Sequence, residues 1–356
     1  MRRSLRSVVL LLAALQVAAV LPPRPVEKYP PIPAPAVTAP AWMLYDETNG
    51  VVLGGSQVDL ARPMASTTKL MTALLAFESG MMGDTVTVSA LAADVGEASL
   101  GLVAGERVPM EMLVYGLMIR SGNDAATAVA EHVSGSVEAF VQLMNERAVE
   151  LGLTETSFAN PHGLDAPGHE SSPRDLLELG RAVFAIPELA EIAVTTRYRI
   201  TDAPDGSARL AESTNALLDS YEGSFGGKTG FTFRAGLVFV GGAERDGRRL
   251  WVVVMGSEGS RAHFSDSARL LDHGFEELAI VDTIGRGIPF RLVSGPPDPQ
   301  LMAVARLNTL VLLGMLDAPE KVAEPLEVET RTETLTADLP GPGDALRWLL
   351  EGVTGG

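Results

Sequence analysis

The chain has 356 residues, no cysteine and a formal net charge of −17. That length supports one large domain with tails or with a smaller second unit, and the missing thiol excludes disulfides, thiolate metal sites and an N-terminal lipidated cysteine. The acidic balance argues against a nucleic-acid partner, because phosphate binding needs a basic surface; the five scattered histidines show no His-x-x-x-His pair, so neither a metal nor another cofactor is expected.

Residues 1–21 read as a signal peptide. Arg2, Arg3 and Arg6 precede an apolar run from Ser7 to Leu21 that is broken only by Gln16, and Val17-Ala18-Ala19 offers a small-residue cleavage site. An uncleaved anchor is the competing reading, for which the run is short. Residues 22–40 carry eight prolines and read as an extended linker.

The folded part is expected to begin at Ala41. Trp42 to Tyr45 and Val51 to Leu53 flank Asp46-Glu47-Thr48-Asn49-Gly50, a β-hairpin pattern. Next comes Ala65-Ser66-Thr67-Thr68-Lys69, followed by apolar residues at 70, 71, 74, 75 and 77 with helical spacing. Pro63 and Gly80 bound that run. Ser66 thus falls in the first turn of a buried helix, with Lys69 on the same face. A serine needs an adjacent base to act as a nucleophile, and burial favours the neutral amine that would make Lys69 one. A capping serine and a solvated lysine are the bland alternative.

Thr85 to Val88 reads as a short strand. Met110 to Ile119 and Ala125 to Val133 read as helices around the polar turn Arg120-Ser121-Gly122-Asn123-Asp124. Such a turn can present Ser121 and Asn123 to a cleft; ordinary turn chemistry is the other reading, with Asp124 as helix N-cap. Ser136 to Leu153 is a further amphipathic helix, and Asn160 to Asp165 is a loop in which His162 orders the chain or acts as an acid–base group. Pro173 to Phe184 is a helix capped by Ser171 or Ser172. Lys228-Thr229-Gly230-Phe231 lies on the approach to an antiparallel hairpin, Ala235 to Gly241 and Leu250 to Met255, turned at Asp246-Gly247. An extended peptide pairs well with an edge strand there, and a small Gly230 admits a ligand close to the backbone. Arg261 to Leu278 reads as the last long helix. Residues 281–356 give weaker signals: strand candidates at 289–293, 310–313 and 326–328, and a short apolar helix at 346–350 as a weak membrane contact.

Taken together, Ser66-Thr67-Thr68-Lys69, Ser121-Gly122-Asn123 and Lys228-Thr229-Gly230 resemble the three motifs of the low-molecular-mass penicillin-binding proteins, the serine D-alanyl-D-alanine carboxypeptidases. Leu117 to Ala126, Asn160 to Asp165, Lys228 to Gly236 and Leu271 to Phe275 match as well, so the resemblance covers residues 41–280. It implies an α/β transpeptidase-like fold, with an antiparallel sheet covered by helices and an all-helical region across the site. It also implies a reaction: removal of the terminal D-alanine from peptidoglycan stem peptides through an acyl-enzyme on Ser66, with covalent inhibition by β-lactams. Lys69 is then the base. Ser121 relays a proton, Asn123 holds Lys69 and the substrate amide, and Lys228 and Thr229 bind the terminal carboxylate. Gly230 admits the substrate, the N–H groups of Ser66 and Phe231 form the oxyanion hole, and Arg261 is a further candidate near the carboxylate. Family members often carry a β-rich C-terminal domain and an anchor helix, which residues 281–356 match poorly. A β-lactamase of the same fold would need a Glu-x-x-x-Asn loop; Glu170 lies in a sequence that does not fit one. A D,D-endopeptidase would use the same residues, and a non-catalytic wall-binding protein would keep only the fold. The implied location is the periplasm or the outer face of the cytoplasmic membrane.

Overall fold

The computed structural model describes residues 35–285, 327–329 and 334–336. The expected signal peptide, the linker as far as residue 34, the strand candidates at 289–293 and 310–313 and the helix candidate at 346–350 lie outside the described residues.

Strands β1 (Ala41–Asp46) and β2 (Val51–Ser56) form the expected hairpin. Its turn is tied by the Asp46 carboxylate, which accepts from the Asn49 backbone and side-chain N–H groups at 3.1 and 2.6 Å. A 3₁₀ turn, Ala65–Thr68, leads into α1 (Lys69–Glu78), and the chain leaves the helix at Gly80. Strand β3 (Thr85–Thr87), α2 (Ala90–Asp94) and β4 (Arg107–Pro109) follow, β3 pairing with β4. Helix α3 (Met110–Tyr115) runs into a π-helical turn, Gly116–Arg120, ahead of α4 (Asn123–Ser134). Helix α5 (Val137–Glu150) starts at Ser136, whose hydroxyl accepts from the Ala139 N–H at 3.1 Å. Helix α6 (Pro173–Phe184) has Ser172 as its cap, with proline in the first turn, where no N–H is missed. Then come α7 (Pro187–Val194), β5 (Arg197–Arg199) paired with β6 (Leu210–Glu212), and α8 (Leu217–Ser220). Strands β7 (Ser224–Thr232), β8 (Gly236–Arg245) and β9 (Arg248–Ser257) precede α9 (Ala262–Gly285). In the C-terminal region β10 (Glu327–Glu329) pairs with β11 (Thr334–Thr336), close to the strand expected at 326–328.

The main sheet is antiparallel, in the order β2-β1-β9-β8-β7. Side chains alternate across it with a period of two, so each strand feeds two cores. Leu44, Phe239, Leu250, Val252 and Val254 pack toward Leu270 and Leu271 of α9. Met43, Val240, Trp251, Val253 and Met255 pack toward the helices on the other face. This explains why β9 is apolar at consecutive positions: both of its faces are covered. Each such side chain contributes about 1.5–3 kcal/mol on burial, so the two cores together fix the sheet between its helical layers. Trp251 anchors the larger core, edge-on to Phe184 and Phe225 with ring centres 5.3 and 4.9 Å away, and its N–H donates to Glu47 at 2.9 Å.

Two expectations need correction. Lys228-Thr229-Gly230 is not an approach to the hairpin but the middle of β7, the edge strand itself. The last helix extends past Leu278 to Gly285.

Candidate active site

Three segments converge where the edge of β7 meets the helical region. The 3₁₀ turn carries Ser66, and Lys69 opens α1 one turn later. The Lys69 Nζ lies 2.9 Å from Ser66 Oγ, and it donates to Asn123 Oδ1 at 2.7 Å and to the His162 carbonyl at 2.5 Å. Lys69 is fully buried. Burial, and next the Lys228 ammonium, hold its amine well below the usual lysine range. A neutral amine has two N–H bonds and one lone pair. The amide oxygen of Asn123 and the carbonyl of His162 can only accept. They take both N–H bonds and leave the lone pair directed at Ser66 Oγ, which is what proton abstraction from that hydroxyl requires.

The second segment is the end of the π-helical turn. Ser121 takes left-handed backbone angles there, with φ of 68°, and this turns the chain back into α4. The Asn123 backbone N–H donates to the Ala98 carbonyl at 2.7 Å and its side-chain amide to the Gly96 carbonyl at 2.9 Å. Asn123 is thus fixed at two points and can in turn fix Lys69. Asp124 is not the helix cap: that position is Gly122. The Asp124 carboxylate instead accepts from the N–H groups of Leu100 and Leu102 at 2.9 and 3.1 Å and from the Ser99 hydroxyl at 2.6 Å, which folds the preceding loop onto the turn.

The third segment is β7, and its alternation sorts its residues. Lys228, Gly230 and Thr232 share one face. Lys228 Nζ donates to Ser121 Oγ at 2.9 Å and to the Thr229 carbonyl at 3.0 Å. Burial pushes Lys228 down to about 7. Gly230 lies against the Ser66 turn: a Cβ there would stand 2.9 Å from the Ser66 nitrogen. The Thr232 hydroxyl donates to the Asp165 carboxylate at 2.8 Å, tying the strand to the 160–165 loop. On the other face the Thr229 hydroxyl meets that of Thr214 at 2.6 Å, and Phe231 is 53% exposed, edge-on to Phe233. Arg261 is exposed and borders a cavity of about 620 Å³ that also reaches Thr214, Asn215, Asp219 and Phe264. It therefore stands at the Thr229 end of the cleft, apart from the Ser66 cluster.

A family model described as D-alanyl-D-alanine carboxypeptidase, peptidase family S11, matches residues 29–259. The chain belongs to the serine-type D-alanyl-D-alanine carboxypeptidases. It is 35% identical over 249 residues to the carboxypeptidase DacB2 of Mycobacterium tuberculosis, a match covering 68% of this chain and 84% of that one. It is 37% identical over 266 residues to DacC of Escherichia coli, covering 71% of this chain and 65% of that one. Among solved structures, a D-alanyl-D-alanine carboxypeptidase from M. tuberculosis superposes with a TM-score of 0.66 at 33% identity, over 70% of this chain and 96% of that one. The Streptomyces K15 DD-transpeptidase superposes with a TM-score of 0.65 at 29% identity, over 69% and 100%.

Within this carboxypeptidase, the structure also brings in residues that the sequence pattern did not single out. The buried His169 ring meets Thr68 Oγ1 at 2.7 Å, and Thr214 meets Thr229 at 2.6 Å. None shares a motif or a helical spacing with its partner. His162 matches the loop-ordering reading: its Nδ1 accepts from the Leu164 N–H at 3.2 Å, and burial pushes it down to about 3. Glu170 is exposed, and its backbone pairs with Ser157.

Proposed function

We propose that Ser66 is the nucleophile in removal of the terminal D-alanine from peptidoglycan stem peptides ending in D-Ala-D-Ala. The observation that carries this reading is the Lys69 amine, with two acceptors fixing its N–H bonds and Ser66 Oγ 2.9 Å away. Ser66 Oγ attacks the carbonyl of the penultimate D-alanine while Lys69 takes its proton. The developing oxyanion sits between the N–H groups of Ser66 and Phe231; losing one such donor costs about 3–4 kcal/mol of barrier. Ser121, bridged to Lys228, passes a proton to the departing D-alanine amine. Lys228 and Thr229 attract the terminal carboxylate, and Arg261 adds positive potential at that end of the cleft. Water then hydrolyses the ester on Ser66.

The edge position of β7 supports docking of the stem peptide as an added strand. β-Lactams acylate the same serine. The Arg-led apolar N-terminus supports export, residues 1–21 acting as signal peptide and 22–40 as linker, to the periplasm or the outer face of the cytoplasmic membrane. Among the described residues no helix is long and apolar enough to cross a membrane. A D,D-endopeptidase acting on cross-links would use the same nucleophile, and cross-linked muropeptides separate the two activities.

The test is intact mass after incubation with benzylpenicillin, with peptide mapping of the adduct. The expected result is one penicilloyl group on Ser66 and none on Ser66→Ala. Labelling of Ser66→Ala at the native level overturns the assignment, and penicillin consumed without any adduct points to a β-lactamase.

A further inference from the structure

We propose that His169, acting through Thr68, is a positioning residue for the oxyanion hole. The proposal rests on Ser66 being the nucleophile and its N–H an oxyanion donor. That N–H belongs to the Ala65–Ser66 peptide. The peptide unit is planar and trans, so its C=O and N–H point in opposite directions as one rigid plate. Whatever holds the Ala65 carbonyl therefore aims the Ser66 N–H.

The carbonyl is held by a chain of hydrogen bonds. The Ala159 N–H donates to His169 Nδ1 at 2.9 Å, which leaves the proton on Nε2. Nε2–H then donates to Thr68 Oγ1 at 2.7 Å, and the Thr68 hydroxyl donates to the Ala65 carbonyl at 2.8 Å. Thr68 is fully buried and His169 nearly so, so water does not compete. Burial holds the ring neutral by pushing it down to about 4; only the neutral ring has one donor and one acceptor. Donation into a peptide carbonyl also strengthens the N–H at the far end of the same unit.

The plate needs holding. Ala65 has a φ of 48°, a left-handed conformation that costs a non-glycine residue energy, and relaxation would rotate the plate. Two glycines close against it: a Cβ on Gly163 would meet the Ala65 oxygen at 2.1 Å, and one on Gly230 the Ser66 nitrogen at 2.9 Å. They limit the plate's position by contact. The His169–Thr68 chain is the attractive element that selects its orientation. A misaimed N–H weakens binding of the oxyanion, which exists only in the transition state, and leaves substrate binding nearly intact.

The experiment measures kcat and KM on a peptide ending in D-Ala-D-Ala for His169→Leu, His169→Gln, Thr68→Val and the His169→Leu/Thr68→Val double variant, with Ser66→Ala alongside. His169→Leu is expected to lower kcat about ten- to a hundredfold, less than or equal to the loss of a whole donor, with KM changed less than about threefold. His169→Gln places an acceptor oxygen and a donor nitrogen on one side chain and is expected to recover most of kcat. Thr68→Val breaks the same chain without enlarging a cavity, and it carries the test if His169→Leu does not fold. The double variant is expected to be no slower than the worse single variant, because both remove one chain. The positioning role is overturned by a native kcat in Thr68→Val, by a loss confined to KM, by multiplying effects in the double variant, or by His169→Gln melting at the native temperature without recovering kcat. Retention of penicillin labelling by Ser66→Ala instead removes the nucleophile reading, and the role of His169 with it.

Discussion

Lys69 and Lys228 are both buried, and each sets what the other can do. In the proposed mechanism Lys69 is neutral, to take a proton, while Lys228 is charged, to attract a carboxylate. Burial lowers both, and the Lys228 charge lowers Lys69 further, which favours the neutral form of Lys69 while Lys228 keeps its proton. The proposed working state has the proton on Lys228. Above about pH 7 that proton leaves, and the cation facing the substrate carboxylate is lost. We expect the second-order rate of acylation by benzylpenicillin to fall above that pH, and the rate for its methyl ester not to fall. Mass-spectrometric labelling from pH 5 to pH 10 checks this, and parallel alkaline limbs for acid and ester would remove Lys228 from carboxylate recognition. At this scale the sequence was informative where chemistry follows helical spacing, as for Ser66 and Lys69. It was silent on His169, because 101 positions separate that residue from Thr68 and only the tertiary fold brings them together.

Among the elements, β7 combines opposite demands. A strand is weakened by glycine, yet β7 holds Gly226, Gly227 and Gly230 in its nine residues. Its pairing with β8 overrides that cost, and the small residues let the strand lie against the Ser66 turn. Local composition therefore hid the strand, whereas β8 and β9, rich in valine, were plain. The short pieces β4 to β6, α2, α7 and α8 were hidden for a related reason: three to eight residues carry little periodic signal, and packing against neighbours defines them. The loop that faces β7 across the Ser66 turn makes the same demand for closeness. Gly163, with φ of 98°, leaves no room for a methyl group beside the Ala65 carbonyl. Gly163→Ala should cost about 1–3 kcal/mol through overpacking and backbone strain and slow penicillin acylation by displacing the 65–66 peptide. Gly80→Ala is the control: it too has a positive φ, 73°, but open space around it, so it should lower the melting temperature while leaving acylation near native. Equal acylation rates in the two variants would separate Gly163 from the nucleophile's geometry.

Across the whole molecule, the hairpins and long helices were readable from their periodicities, whereas the helix-covered sheet and the site's place beside it came from the family resemblance that the three motifs carry. What the sequence did not reveal is how the β5–β6 ribbon is fastened to the loop beside Asn123. The fastener is a buried ion pair. Arg209 donates to the Glu106 carboxylate through both terminal nitrogens, at 2.7 and 3.2 Å, and to the carbonyls of Gly101 and Thr201. The two side chains are 7% and 8% exposed. Glu106 also accepts from the Val103 N–H at 3.0 Å, so the pair closes the 101–106 loop, whose start is held by Asp124. Removing one member strands a buried charge, at a cost of about 3–5 kcal/mol, or roughly 10 °C in melting temperature for a unit of this size. Removing both does not leave that charge behind. Arg209→Met and Glu106→Leu should each melt well below the native chain, and the double variant should melt above either single one despite carrying more changes. Calorimetry on the four proteins decides it. A double variant melting at the sum of the two losses would mean that the two side chains stabilise the ribbon independently, through their backbone partners rather than through each other.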